Sequence, residues 1–208
     1  MNPRPPGSVR IIAGHLRGSK LAVADRPGLR PSSDRVRETL FNWLQATTPG
    51  ARVLDLFAGT GALGFEAASR GAAGVLMVER DPALAEALRA NAARLKVGQA
   101  RVEVADALAW LGRAPSEAFD LVFVDPPFEA GLWAGALARL GPWLAPEAWI
   151  YVESPANVTP DVPAGWRLHR EGRTREVRFA LFQAGNGRGP ASAATLAGDS
   201  TPQGETPE

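Results

Sequence analysis

Apolar residues return along this chain in two alternating rhythms. Between residues 31 and 183, short and nearly continuous apolar runs give way to segments with an apolar position every third or fourth residue. The first rhythm belongs to a strand buried on both faces, the second to a helix with one buried face. In "RPSSDRVRETLFNWLQ", Val36, Leu40, Trp43 and Leu44 share one helical face, after a proline and three possible N-caps, Ser32, Ser33 and Asp34. "ARVLDLF" predicts a strand over 52–57, then a glycine turn and a helix of about 10 residues. "AGVLMVERD" predicts a second strand, and "PALAEALRANAARLK" a helix opened by Pro82 in its first turn. "ARVEVAD" and 119–124 read as the third and fourth strands. A helix within 133–144 and a fifth strand in "AWIYVES" follow. "WRLHREGRTREVRFALFQ" predicts a closing antiparallel strand pair that turns around Gly172. Alternating β and α with apolar strands implies a doubly wound, mostly parallel sheet covered on both faces, an α/β Rossmann-like fold.

The ends of the chain read differently. Val9 to Ile12 and Leu21 to Val23 flank a glycine-containing turn and predict a small hairpin. Residues from Ala184 onward hold almost no large apolar side chain and are expected to be disordered. Three zones result: a hairpin extension over 1–30, a main domain over 31–183 and a tail over 184–208.

Composition narrows the chemistry. Without cysteine there is no disulfide, thiolate metal site or cysteine nucleophile. The two histidines, His15 and His169, lie far apart, which argues against a histidine-rich metal centre and a Ser-His-Asp triad. His15 reads as a surface residue, with base stacking as the alternative. No apolar run reaches membrane-spanning length and "MNPRPPGSVR" lacks the core of a signal peptide, so a cytoplasmic protein is expected. Net charge is +1 but uneven. Residues 1–40 carry eight Arg and Lys against three acids, and 166–179 five arginines against two acids. Such clusters suit a polyanion on one face, or a solvated arginine-rich surface.

Gly59, Gly61 and Gly64 form G-x-G-x-x-G between a strand and a helix, where a backbone can approach a ligand closely. Three acids mark successive strand ends: Asp55, Glu79 and Asp106. One could accept ribose hydroxyls (Glu79), one an adenine amine (Asp106) and one an ammonium (Asp55). Each could also be a helix cap or turn former. NAD would place its pyrophosphate at the helix N-terminus, where an acid is unhelpful. S-adenosylmethionine carries a sulfonium and an ammonium instead, so Asp55 favours it.

The fourth strand, "FDLVFV", stops at Asp125-Pro126-Pro127-Phe128. Two prolines can simply end a strand, because neither donates to the ladder. Alternatively, Asp125 and the Pro126 carbonyl accept the two N–H groups of an exocyclic amine, and Phe128 stacks on the flat base. The nitrogen lone pair then turns towards a methyl donor. Such positioning can supply up to roughly 7–11 kcal/mol of a barrier.

D-P-P-F matches the [DN]-P-P-[FY] motif of amino-group methyltransferases that act on nucleic acid bases. With "RIIAGHLRGSKL", "RPSSDRVRETLFNWL", "LDLFAGTGALGFEAASRGA", "VER", "FDLVFVDPPF" and "IYVES", the chain resembles the RsmD family over nearly all of 9–183. The resemblance implies a class I S-adenosylmethionine-dependent methyltransferase. Its substrate would be the N2 amine of a guanine in small-subunit (16S) ribosomal RNA, in assembled or partly assembled 30S subunits. It implies Asp125, Pro126, Pro127 and Phe128 as the catalytic motif. Asp55, Phe57, Gly59, Gly61, Glu79, Arg80, Asp106 and Ala107 would line the cofactor site. Arg10, Arg17, Lys20, Arg30, Ser32 and Arg35 would meet RNA. A monomer without metal is expected. The family often has Thr at Ser32 and usually Tyr at Phe128, and the missing hydroxyl leaves stacking intact. DNA base amino-methyltransferases share D-P-P-F but usually carry a larger recognition region, for which this chain has no spare domain. An NAD-dependent oxidoreductase and an inactive RNA-binding module are the other readings; the first lacks an evident proton-transfer constellation, and the intact acids oppose the second.

Overall fold

The computed structural model describes residues 8–22 and 33–185. Strands β1 (Ser8–Arg10) and β2 (Lys20–Ala22) pair antiparallel in the expected hairpin. Helix α1 (Asp34–Trp43) follows, with the Ser33 hydroxyl accepting from the Val36 N–H at 3.3 Å as N-cap. The main domain continues as β3 (Arg52–Asp55), α2 (Ala62–Ser69), β4 (Gly74–Glu79), α3 (Pro82–Arg94), β5 (Ala100–Val104), α4 (Ala107–Leu111) and β6 (Phe119–Val124). It closes with α5 (Trp133–Leu140), β7 (Leu144–Pro155), β8 (Arg167–Arg173) and β9 (Val177–Gln183). The seven-stranded sheet has the order β5-β4-β3-β6-β7-β9-β8. Strands β5, β4, β3, β6 and β7 are parallel, whereas β9 and β8 run antiparallel at one edge. No helix among the described residues is long and apolar enough to cross a membrane.

The period-2 alternation of strand side chains divides the core into two layers. Val53, Met77, Leu121, Phe123 and Tyr151 face Leu40, Phe65 and Leu88 on α1, α2 and α3. Leu54, Val78, Val122, Val124 and Ile150 face Trp110 and Leu137 on α4 and α5.

One expectation is corrected. The β8–β9 turn lies at 174–176, closed by the Thr174 N–H donating to the Val177 carbonyl at 2.8 Å, not at Gly172. Gly172 is a strand residue opposite Phe179, and a Cβ there would collide with the Phe179 ring. The helix expected within 133–144 is present as Trp133–Leu140, and a single 3-10 turn, Gly141–Trp143, leads directly into β7. Helix α4, five residues long, is too short to show a helical period and went unread in the sequence. Pro31, Ser32, Arg30 and the tail beyond 185 lie outside the described residues.

The N-terminal hairpin shares the main core. Val9, Ile11 and Leu21 are buried among the residues that cover the sheet. Its turn is anchored to α2 by two buried polar side chains. The Glu66 carboxylate accepts from the Ile12 N–H at 2.8 Å, the Ala13 N–H at 3.0 Å and Arg70 Nε at 2.8 Å. Arg37 of α1, also fully buried, lies 3.7 Å from the same carboxylate and donates to the Arg10 carbonyl at 3.0 Å. Ser69 Oγ accepts from the Leu16 N–H at 2.9 Å and donates to the Ala13 carbonyl at 2.5 Å. His15 is exposed, yet its backbone N–H and Nδ1 each lie 2.9 Å from the Ser69 carbonyl oxygen. Gly14 adopts φ +79° at this contact, and any Cβ would strike the Ser69 carbonyl.

Removing Glu66 would leave the Ile12 and Ala13 N–H groups unsatisfied and Arg37 with only Asp34, 2.6 Å away, as ion partner, a loss on the scale of a broken buried ion pair, about 3–5 kcal/mol. Glu66→Ala should therefore lower the unfolding free energy by about that amount in urea titrations. Glu38→Ala, on the exposed side of α1, should stay within about 0.5 kcal/mol of the parent.

Candidate active site

The carboxyl ends of β3, β4 and β6 meet at the middle of the sheet. Asp55 ends β3 and is 2% exposed. Its Oδ2 accepts from the Gly64 N–H at 3.0 Å, which ties the strand to the first turn of α2. Gly64 has no room for a side chain: a Cβ would lie 2.9 Å from Met77 Sδ and 3.2 Å from Asp55 Oδ2. Gly61 is the N-cap of α2 at φ +76°, and a Cβ there would lie 2.6 Å from Leu88. Two of the three glycines thus permit close packing and a left-handed turn.

Glu79, at the end of β4, organises the same loop. Its Oε2 accepts from the Gly59 N–H and its Oε1 from the Asp81 N–H, both at 2.8 Å. Phe57 is half-buried next to this loop, whereas Arg80 is exposed. Asp106 lies two residues beyond β5, exposed. Its Oδ1 accepts from the Ala109 N–H at 3.0 Å and caps α4, so the helix-cap reading holds for this acid. Buried Ala107 is the first residue of that helix.

Burial is the main force on Asp55 and raises its carboxyl to about 7. The Gly64 N–H opposes that rise and the Glu79 charge adds to it. A dry carboxylate beside a second one is a poor place for a pyrophosphate and a good one for a cation. Glu79 and Asp106 keep lone pairs free to accept from hydroxyl or amine groups. The donor set therefore fits S-adenosylmethionine, which carries cationic groups and ribose hydroxyls but no phosphate.

Strand β6 is the neighbour of β3, with Asp55 level with Phe123. Asp125 therefore emerges just beyond Asp55 on the adjacent strand. It is half-buried, Pro126 is buried and Pro127 is exposed. The Phe128 ring is 38% exposed and sits 6.1 Å from the Trp133 ring at 42°. Trp133 Nε1 donates to the Glu153 carbonyl at 2.7 Å, linking this ring pair to β7. Behind Asp125, the buried Tyr151 hydroxyl donates to Glu153 Oε2 at 2.7 Å. Burial first, then the charges of Glu153 and Asp125, push that hydroxyl well above its ordinary range. Tyr151, Glu153 and Trp133 escaped sequence reasoning. The one available signal was an acid inside the apolar run "IYVES".

Of the sequence-predicted RNA residues, Arg10, Arg17, Lys20 and Arg35 lie among the described residues. Arg10 and Lys20 face each other across the hairpin and are exposed, as are Arg17 and Arg35. Arg17 belongs to the turn fastened to Ser69, the last residue of α2. That places it at the opposite end of the helix from the glycine loop, a helix length of about 12 Å away. Arg30 and Ser32 lie outside the described residues.

The parallel sheet order, the glycine loop between β3 and α2, and the acids at adjacent strand ends define a Rossmann-like S-adenosylmethionine-dependent methyltransferase. A family model described as conserved hypothetical protein 95 matches residues 9–183. The chain is 51% identical over 180 residues to ribosomal RNA small subunit methyltransferase D of Escherichia coli, covering 85% of this chain and 90% of that protein. It is 43% identical over 186 residues to the protein of the same name from Haemophilus influenzae, covering 87% and 96%. The solved structure of the putative methyltransferase yhhF from Escherichia coli superposes with a TM-score of 0.80 at 48% identity, covering 86% of this chain and 99% of that one. The chain belongs to the RsmD family.

Asp55 carries a pH signature of opposite sign in the free and ligand-bound protein. Its folded value, about 7, lies above the ordinary 3.8. Its stabilising contribution to the free protein is complete below 3.8 and is lost as pH rises through about 7. The ionised form attracts the ammonium group that S-adenosylmethionine and S-adenosylhomocysteine share. Calorimetry with S-adenosylhomocysteine should therefore show tighter binding a unit above that value than a unit below it, while the thermal midpoint of the free protein falls across the same interval. Asp55→Asn should weaken binding and flatten both profiles.

Proposed function

We propose that this chain methylates the exocyclic N2 amine of a guanine in 16S ribosomal RNA, using S-adenosylmethionine as methyl donor. The observation that carries the reading is the exit of Asp125-Pro126-Pro127-Phe128 from β6, directly beside Asp55 and the glycine loop. The donor, when bound, supplies an electrophilic methyl group on a sulfonium. The protein's part is to place a weakly nucleophilic amine in line with it.

Asp125 and the Pro126 carbonyl accept the two N–H groups of the amine. Drawing those hydrogens to one side takes the nitrogen lone pair out of conjugation with the purine. The prolines hold both acceptors in place before the base arrives, so little ordering remains on binding. Phe128, exposed and braced by Trp133, offers its face to a base taken out of its stack. The names of the relatives point to small-subunit RNA as the target; in this reading it is met in assembled or partly assembled 30S particles. The protein acts as a cytoplasmic monomer in this reading.

Single-turnover methylation of small subunits lacking the modification tests the assignment. Asp125→Ala should slow transfer by orders of magnitude and barely change S-adenosylhomocysteine affinity, because its contact matters mainly at the transition state. Asp125→Asn should keep part of the activity, since an amide oxygen still accepts. Phe128→Ala should weaken engagement of the base by roughly 1–3 kcal/mol, and Phe128→Tyr should be nearly silent. Near-parental turnover in Asp125→Ala would reduce the motif to a strand terminator.

A further inference from the structure

Strand polarity sets which basic residues border the site. Strand β9 runs antiparallel to β7, with Val177 opposite Pro155 and Gln183 opposite Trp149. The β8–β9 turn at 174–176 therefore lies at the carboxyl end of the sheet, the end that carries Asp125. The Ala156 N–H donates to the Glu176 carbonyl at 2.9 Å and holds this turn to the segment leaving β7. Arg167, opposite Gln183, marks the far end of the same strand pair. From β6 to β8 there are three strand spacings, about 14 Å.

The turn is basic and open. Arg173, Thr174, Arg175 and Glu176 are exposed. The Arg173 side chain is 55% exposed although its Nε donates to Glu171 Oε1 at 3.0 Å, a surface pair of small worth. Glu171 also accepts from the buried Arg178 at 2.6 Å, so Arg178 offsets part of its charge. Arg170 and Arg175 form no ion pair among the described residues. The cofactor acids lie over β3, β4 and β5, on the other side of Asp125. Approach to Phe128 from the β7-β9-β8 side leads past this turn.

We propose that the Arg173–Arg175 turn is a second docking surface for the RNA substrate, contacting phosphates that flank the target base. The proposal rests on the reading of the chain as an RNA methyltransferase. It follows from the placement of these arginines at the catalytic end of the sheet, whereas Arg17 of the hairpin sits at the distal end of α2. A phosphate backbone can pair with the exposed guanidinium groups of Arg173 and Arg175 and needs no sequence-specific contact there.

The test compares the parent protein, the R173E/R175E double variant and R167E as a control at the far end of the strand pair. Methylation of unmodified small subunits is followed over a salt series, with S-adenosylhomocysteine affinity measured on each protein. In the double variant, KM for subunits should rise about tenfold or more and the salt dependence should become shallower by about one to two phosphate contacts. Cofactor affinity and kcat should be retained, and R167E should resemble the parent. An unchanged KM and salt slope in the double variant, with the parent active, overturns the docking surface alone. An equal loss in R167E overturns it too, because it would report net charge and not position. Absence of methylation by the parent would overturn the underlying enzymatic reading.

Discussion

The carboxylate of Glu66 is the constraint on which the arrangement of this protein rests. It is fully buried on α2 and bound from three directions: the turn of the N-terminal hairpin, Arg37 of α1 and Arg70 of its own helix. An unpaired charge in that position would be unaffordable, so the three partners are held together or not at all. Helix α2 is thereby fixed along its length, and its first turn is the glycine loop. Asp55 fixes that first turn from the other side through the Gly64 N–H. Two buried carboxylates thus tie one short helix to its surroundings, Asp55 at its first turn and Glu66 to the hairpin and α1.

This arrangement changes the meaning of the basic N-terminus. The sequence predicts a basic hairpin extension over 1–30, and the family resemblance implies that it meets RNA. In the structure the described part of that extension contributes Val9, Ile11 and Leu21 to the main core and satisfies Glu66 with backbone N–H groups. The hairpin is a structural partner of α2 first, so cutting it away would disturb the glycine loop as well as any RNA contact. Point substitutions of exposed side chains separate the two roles where truncation cannot.

Strands β3, β4 and β6 were legible because both faces of each are covered, which leaves continuous apolar runs, whereas the edge strand β5 has no fully buried residue. G-x-G-x-x-G and D-P-P-F were legible because their chemistry is local: each needs particular residues at fixed spacing next to one strand end. What stayed hidden depends on partners distant in sequence. Glu66 lies 54 residues from Ile12, and only its position in a helix buried all round hinted at a pairing. Gly172 looked like a turn residue because glycine commonly is one, yet the ring of Phe179 on the next strand sets its identity. Asp106 proves to be a helix cap, the plainer of its two readings, with its Oδ1 on the Ala109 N–H. Net charge along a sequence does not reveal which end of a sheet it occupies, so the position of Arg173 and Arg175 needed the strand polarity.

The central claim is that Asp125 and its neighbours present an exocyclic amine of guanine to the methyl donor. Its most direct test is chemical identification of the product. Small subunits lacking the modification would be incubated with the protein and isotopically labelled S-adenosylmethionine, then digested to nucleosides and analysed by mass spectrometry. The account predicts label in N2-methylguanosine from 16S ribosomal RNA, at a single position. Label on a ring carbon, on a ribose hydroxyl, or on no nucleoside would contradict it.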